Sequence, residues 1–151
     1  CVTDIEAAVL ADLELPDEGT VCDPDPVVER PTWWDDLPVP DGHRLDDISA
    51  VKAVLGLTDT LGYGQTWLTD QALDDADQAW ADSLIGAGFD DLGAQDLGLT
   101  DVLERGYLSP DGDLVVVITL GPAAFDSDEL VEAKGAVPAD TTVVLVAYLP
   151  Q

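Results

Sequence analysis

The sequence lacks methionine and asparagine, and it carries one histidine, two cysteines and five basic residues against 32 acidic ones. Each shortage excludes something. One histidine and two cysteines do not make the usual tetrahedral zinc sets, so no metal is expected. A formal charge of −27 repels phosphate backbones and anionic lipid heads, which argues against nucleic acid and against an anionic membrane surface as partners. No apolar run approaches the roughly 18 residues of a membrane-spanning helix. No uncleaved signal peptide is expected either. The chain has no P-loop, no Gly-x-Gly-x-x-Gly and no His-Glu-x-x-His. Its serines, at 49, 83, 109 and 127, stand outside any Gly-x-Ser-x-Gly setting. No cofactor is expected.

What is abundant is aspartate, 25 residues against 7 glutamates. Asparagine, lysine and isoleucine, all absent or scarce, share AT-rich codons. A solvated surface shaped by high salt or by a GC-rich genome is therefore the first reading of the acidity. An acidic face for a basic partner is the second, and calcium binding the third. For calcium, "DPDP" (23–26) and "SPDGD" (109–113) supply oxygens, but neither completes an EF-hand loop. Adjacent carboxylates occur at Asp35/Asp36, Asp46/Asp47, Asp74/Asp75 and Asp90/Asp91. Glycosidase-type chemistry needs such a pair in a cleft, with one pKa raised. Among so many acids, pairs arise by chance. His43, the sole histidine, has no visible nucleophile to activate and is expected to be exposed or structural.

Hydrophobic residues make up 46% of the chain, enough for a core. Residues 1–14 read as a short helix, with Thr3 and Glu6 as a capping box and Ile5, Val9 and Leu13 as an apolar stripe. The proline-rich stretch 16–42 reads as an extended strap. Trp33 and Trp34 would pin it to the domain, and they are also the candidate binding aromatics. The compact domain is expected over 37–151, after an N-terminal region of 1–36.

Residues 51–58 and 63–69 read as two strands joined by "DTLG", although 45–56 also fits a helical period. Leu73, Ala76, Trp80, Leu84 and Ala87 form one stripe of a helix over 70–87. Thr69 or Asp70 would cap it, and Gly88 with Phe89 would end it. A Gly-punctuated connection follows, with a helical turn at 100–105. "SPDG" predicts a type I turn before a central strand, Leu114–Leu120. Residues 121–139 read as an insertion with a helical turn between Ser127 and Gly135, and 141–149 as the closing strand. The expected class is α+β: a two-layer fold with an antiparallel sheet of about 4–5 strands, one main helix on one face, an N-terminal helix and a Pro-rich strap.

"LPVPDG" (37–42), a helix ending "LIGAGF" (84–89), then "DGDLVVVIT" and "TTVVLVAYL" resemble small domains of uncharacterised secreted proteins and lipoproteins of high-GC bacteria. There a proline-rich tether leads to a helix ending Ala-Gly-Phe or Ala-Gly-Trp and then a β-meander. The resemblance covers about residues 37–150 and rests on packing and turn motifs. It implies an envelope location and no established activity. The 1–36 extension and the long loop at 121–139 depart from it.

Cys1 and Cys22 bear on compartment. A disulfide between them would close a loop of roughly 20 residues, worth on the order of 3 kcal/mol. A lipid on Cys1 is the alternative, and the one route to a membrane. A fragment or an engineered start is the third. The first two place the chain outside the cytoplasm, as a secreted or envelope-associated protein.

The leading functional expectation is a non-enzymatic, exported acidic module acting as a cell-envelope surface, assembly or binding component. It would take a protein partner or a second copy through its sheet, the Trp33/Trp34 strap or strand edges at 114–120 or 141–149. An acidic inhibitor or immunity-type protein neutralising a basic partner comes second. A hydrolase using an Asp pair comes third.

Overall fold

Six antiparallel strands and one helix account for most of the regular structure. A computed structural model describes residues 30–48, 51 and 63–149. The strands are β1 (Arg44–Asp46), β2 (Tyr63–Thr69), β3 (Asp90–Gln95), β4 (Val102–Leu108), β5 (Leu114–Leu120) and β6 (Thr142–Leu149), and the helix is α1 (Leu73–Gly86). They form one sheet in the order β1-β2-β6-β5-β4-β3. The helix packs on one face, giving the α+β two-layer class, with six strands rather than the expected 4–5. The helix expected over 1–14, Cys1, Cys22 and "DPDP" lie outside the described residues. So does the strand expected at 51–58, except for Val51, which is helical and donates its N–H to the Ile48 carbonyl at 3.0 Å.

The two central strands are those with unbroken apolar runs. A strand covered on both faces has no polar side to show, and β5 and β6 are buried along nearly their whole length. Alternation divides their side chains between two cores. On the α1 side, Val115, Val117, Val144, Val146, Tyr107 and Tyr148 meet Trp34, Trp80, Leu84 and Phe89. On the opposite side, Leu68, Val102, Ile118, Leu120, Val143 and Leu145 meet Phe125, Leu130 and Ala133 of the β5–β6 connection, with Ile48 and Val51. The register carries each row across the sheet, as in Leu68, Val143, Leu120 and Val102.

The interior placement of β5 and β6 corrects one expectation. Both strands are paired on both sides, so neither 114–120 nor 141–149 can add a second chain. The sheet ends at β1, three residues long, and at β3. β3 is exposed throughout and begins with Asp90 and Asp91, and a register shift falls between Asp91 and Gly93. Gly93 takes φ +97 there, and its N–H donates to the Asp91 carboxylate at 2.7 Å. A bulge and two acids are the devices by which natural edges resist further pairing.

α1 ends in a Schellman motif. The Gly88 N–H donates to the Ile85 carbonyl and the Phe89 N–H to the Leu84 carbonyl, both at 3.0 Å, with Gly88 at φ +91. Phe89 then folds back into the core beside Leu84. The start differs from expectation. Ala72 is the N-cap and makes no side-chain cap bond. Thr69 instead accepts from the Gln71 N–H, and Thr142 donates to the Gln71 carbonyl at 2.7 Å, anchoring the helix start to β6. The helical turn expected at 100–105 is overturned, since 102–108 is β4 and pairs with β5 along its length.

Candidate functional site

β5 and β6 are antiparallel neighbours whose ladder runs up to the Leu120–Val143 pair. A two-residue turn is enough to join such strands. This chain instead places residues 121–141 between them, longer than most connections inside compact domains. The connection holds two short 3-10 segments, Pro122–Asp126 and Val131–Ala136. The second runs past Gly135. Ser127 is not a forward cap: its hydroxyl donates back to the Ala124 carbonyl at 2.8 Å. The inner side, with Ala124, Phe125, Leu130 and Ala133, closes the second core.

The outer side of the connection forms an open cleft of about 420 Å³. Phe125, Val137, Pro122 and Pro138 supply apolar wall; Asp126, Lys134 and Asp140 supply charge. Lys134 pairs with Asp126. Asp140 makes no ion pair among the described residues and holds φ +57. The other non-glycine residue at positive φ, Asp101 at +60, latches the start of the same connection. Its carbonyl accepts from the Gly121 N–H and its carboxylate from the Ala123 N–H, both at 2.9 Å. A Cβ at position 121 would collide with that carboxylate, so a larger residue there would displace the Asp101 side chain. Left-handed backbone outside glycine is uncommon, though aspartate tolerates it best. Among the described residues, both instances frame this cleft.

The second polar cluster lies beneath α1. Arg105 on β4 bridges two carboxylates, donating to Asp77 at 2.8 Å and to Asp91 at 2.9 Å. The Asp77 side chain is 6% exposed and that of Arg105 20%. The hydrogen bond to Asp77 holds the guanidinium pKa above its usual value. Tyr107, two residues on along the same face, is fully buried, and burial pushes its phenol pKa up. The Tyr107 hydroxyl, Asp77 Oδ1 and Arg105 Nε are buried with no hydrogen-bond partner among the described residues. The cluster was not anticipated. Its signal was faint: Asp77 falls beside the apolar stripe of α1, and Arg105 is one of the few bases.

The anticipated residues are dispersed. The pairs Asp35/Asp36, Asp46/Asp47, Asp74/Asp75 and Asp90/Asp91 are exposed. "SPDGD" is the β4–β5 turn, where the Gly112 N–H donates to the Ser109 carbonyl at 2.9 Å. Its Asp113 carboxylate accepts from Trp33 Nε1 at 3.2 Å. Trp34 is buried, and Trp33 packs edge-on against Phe89 and Tyr148 at 5.4 and 5.9 Å.

His43 stands edge-on to Trp80 at 5.7 Å. Its Nδ1 donates to the Asp41 carbonyl at 3.4 Å, and its buried Nε2 has no hydrogen-bond partner among the described residues. Desolvation lowers the imidazole pKa from 6.5. A base whose folded pKa is depressed contributes stability that is complete above its unfolded pKa and is lost as pH falls below it. Urea midpoints are therefore expected to drop between about pH 8 and about pH 5.5, and to drop less in His43→Gln. Parallel declines in both proteins would remove His43 as the source.

Comparison of the chain with family models, curated proteins and solved structures finds no match.

Proposed function

We propose that the protein is a non-enzymatic acidic binding module that works outside the cytoplasm and takes its ligand in the 121–141 cleft. The observation that carries this reading is the connection itself. It spends 21 residues where two would reverse the chain, and it leaves an apolar-walled cleft with a free carboxylate on its outer side. Clefts of this size with a few convergent polar groups are the usual form of ligand sites. The edges support binding over self-assembly, since β1 is short and β3 is bulged and acidic. The direct test is amide chemical-shift mapping during titration with a panel of charged and neutral small fragments. Shifts gathered at 122–141 support the reading. Shifts gathered on β1, β3 or the Trp33 surface move the site elsewhere.

The acidic inhibitor reading has its own support. Arg30, Arg105 and Lys134 each pair with aspartate, and Arg44 stands 4.0 Å from Asp70. These bases are neutralised within the fold, so the field it projects is negative, and a basic partner would be steered to it. A basic envelope protein retained at low salt, released at high salt and not displaced by polylysine would favour this reading. Displacement by polylysine would reduce it to general polyanion behaviour.

An extracytoplasmic location is supported by the Cys1/Cys22 pair and by the resemblance to secreted domains. Intact mass of the native protein is expected to fall by two hydrogens relative to the reduced form. A native mass equal to the reduced one would count against export.

A further inference from the structure

We infer that the 121–141 cleft selects amphiphilic organic cations, a primary ammonium head on an apolar body. This rests on the cleft being the ligand site, and it names the ligand class.

The charges in the cleft are unequal. Lys134 is already satisfied by Asp126, so the pair presents little net charge to a ligand. Asp140 is the remaining carboxylate of the lining and has no ion-pair partner among the described residues. The local balance is one negative charge. It is set in a chain of net charge −27, whose summed potential concentrates cations and repels anions. An anionic ligand would have to take Lys134 from Asp126 and cross that field. A cationic ligand meets Asp140 directly and leaves the Lys134–Asp126 pair in place.

The walls argue for an apolar body rather than a bare ion. Pro122, Val137, Pro138 and the two alanines of the lining offer carbon surface, while Phe125, 2% exposed, contributes little of it. A hydrated metal ion gains nothing from such walls. An alkyl or aryl group gains about 25 cal/mol for each Å² of apolar area it removes from water. The Asp140 backbone is left-handed, and Thr141 after it is buried and donates to the Ala139 carbonyl at 3.3 Å.

Three probes of one shape separate the possibilities: phenethylammonium, phenethyl alcohol and hydrocinnamate. Titration of the intact protein, followed through the amides of Ala123, Val137, Asp140 and Thr141, is expected to rank the ammonium tightest and hydrocinnamate weakest. Asp140→Asn keeps a residue that accepts positive φ. It is expected to weaken the ammonium about three- to tenfold and to leave the alcohol unchanged. Asp126→Asn releases Lys134 and is expected to weaken the ammonium while strengthening hydrocinnamate, a reversal that misfolding would not produce. If the alcohol or hydrocinnamate binds the cleft as well as the ammonium, the ligand class is wrong and the cleft remains a site. If Asp140→Asn leaves ammonium binding intact, the class is likewise overturned. If none of the three perturbs these amides, both the class and the cleft reading fall.

Discussion

Replacing Arg105 with methionine is expected to destabilise the protein by about 3–5 kcal/mol at neutral pH, a large share of the 5–15 kcal/mol typical of a domain. The effect comes from what is left behind. Asp77 is 6% exposed on its side chain, and Arg105 supplies its hydrogen bond and ion pair among the described residues. Without the guanidinium, a carboxylate stays beneath α1 with no counter-charge. The double variant Asp77→Leu/Arg105→Met should recover most of the loss, because replacing a buried pair with apolar groups is often neutral. Urea unfolding of the wild type, Arg105→Met and the double variant measures this. Equal losses in both variants would show that side-chain packing rather than charge carries the effect.

Trp80→Ala is expected to cost about 3–5 kcal/mol, the range for deleting a buried indole. Trp80 is fully buried at the centre of the α1 face. It touches Trp67, with ring centroids 5.9 Å apart, and His43. Its removal leaves a void where helix, β2 and the residues before β1 converge. Ile85, on the outer side of the same helix and 49% exposed, supplies the control. Ile85→Ala should stay within about 1 kcal/mol. Similar midpoints for the two variants would mean that the helix docks less tightly than its burial indicates.

These two sites also show what could be read ahead of the structure. Trp80 was legible because a 3.6-residue stripe is a local pattern, and Leu73, Ala76 and Leu84 share it. The Gly88–Phe89 ending, the "SPDG" turn and the two valine-rich strands were legible for the same reason: each is written in consecutive residues. Arg105 and Asp77 were not, because they lie 28 positions apart and meet only when α1 settles on β4. β3 was missed because "DDLGAQ" contains no β-branched residue and two residue types disfavoured in strands. It is a strand because β4 offers it a ladder. β4 itself begins with residues that suit a helical turn, and its pairing with β5 overrides that preference. The cleft was anticipated only as an insertion, since its walls come from residues whose meeting depends on two 3-10 turns and on Asp101.

The place of β6 in the strand order has a consequence for how the chain comes together. β1 and β2 form one ladder and β3, β4 and β5 another, and no hydrogen bond joins them except through β6. It is the last of the six in sequence, so as the chain leaves the ribosome the two ladders wait side by side without a shared core. α1 and the 121–141 connection can cover β5 before then, but both cores take residues from β6. Domain formation therefore waits on β6: until residues 142–149 emerge, neither core can close.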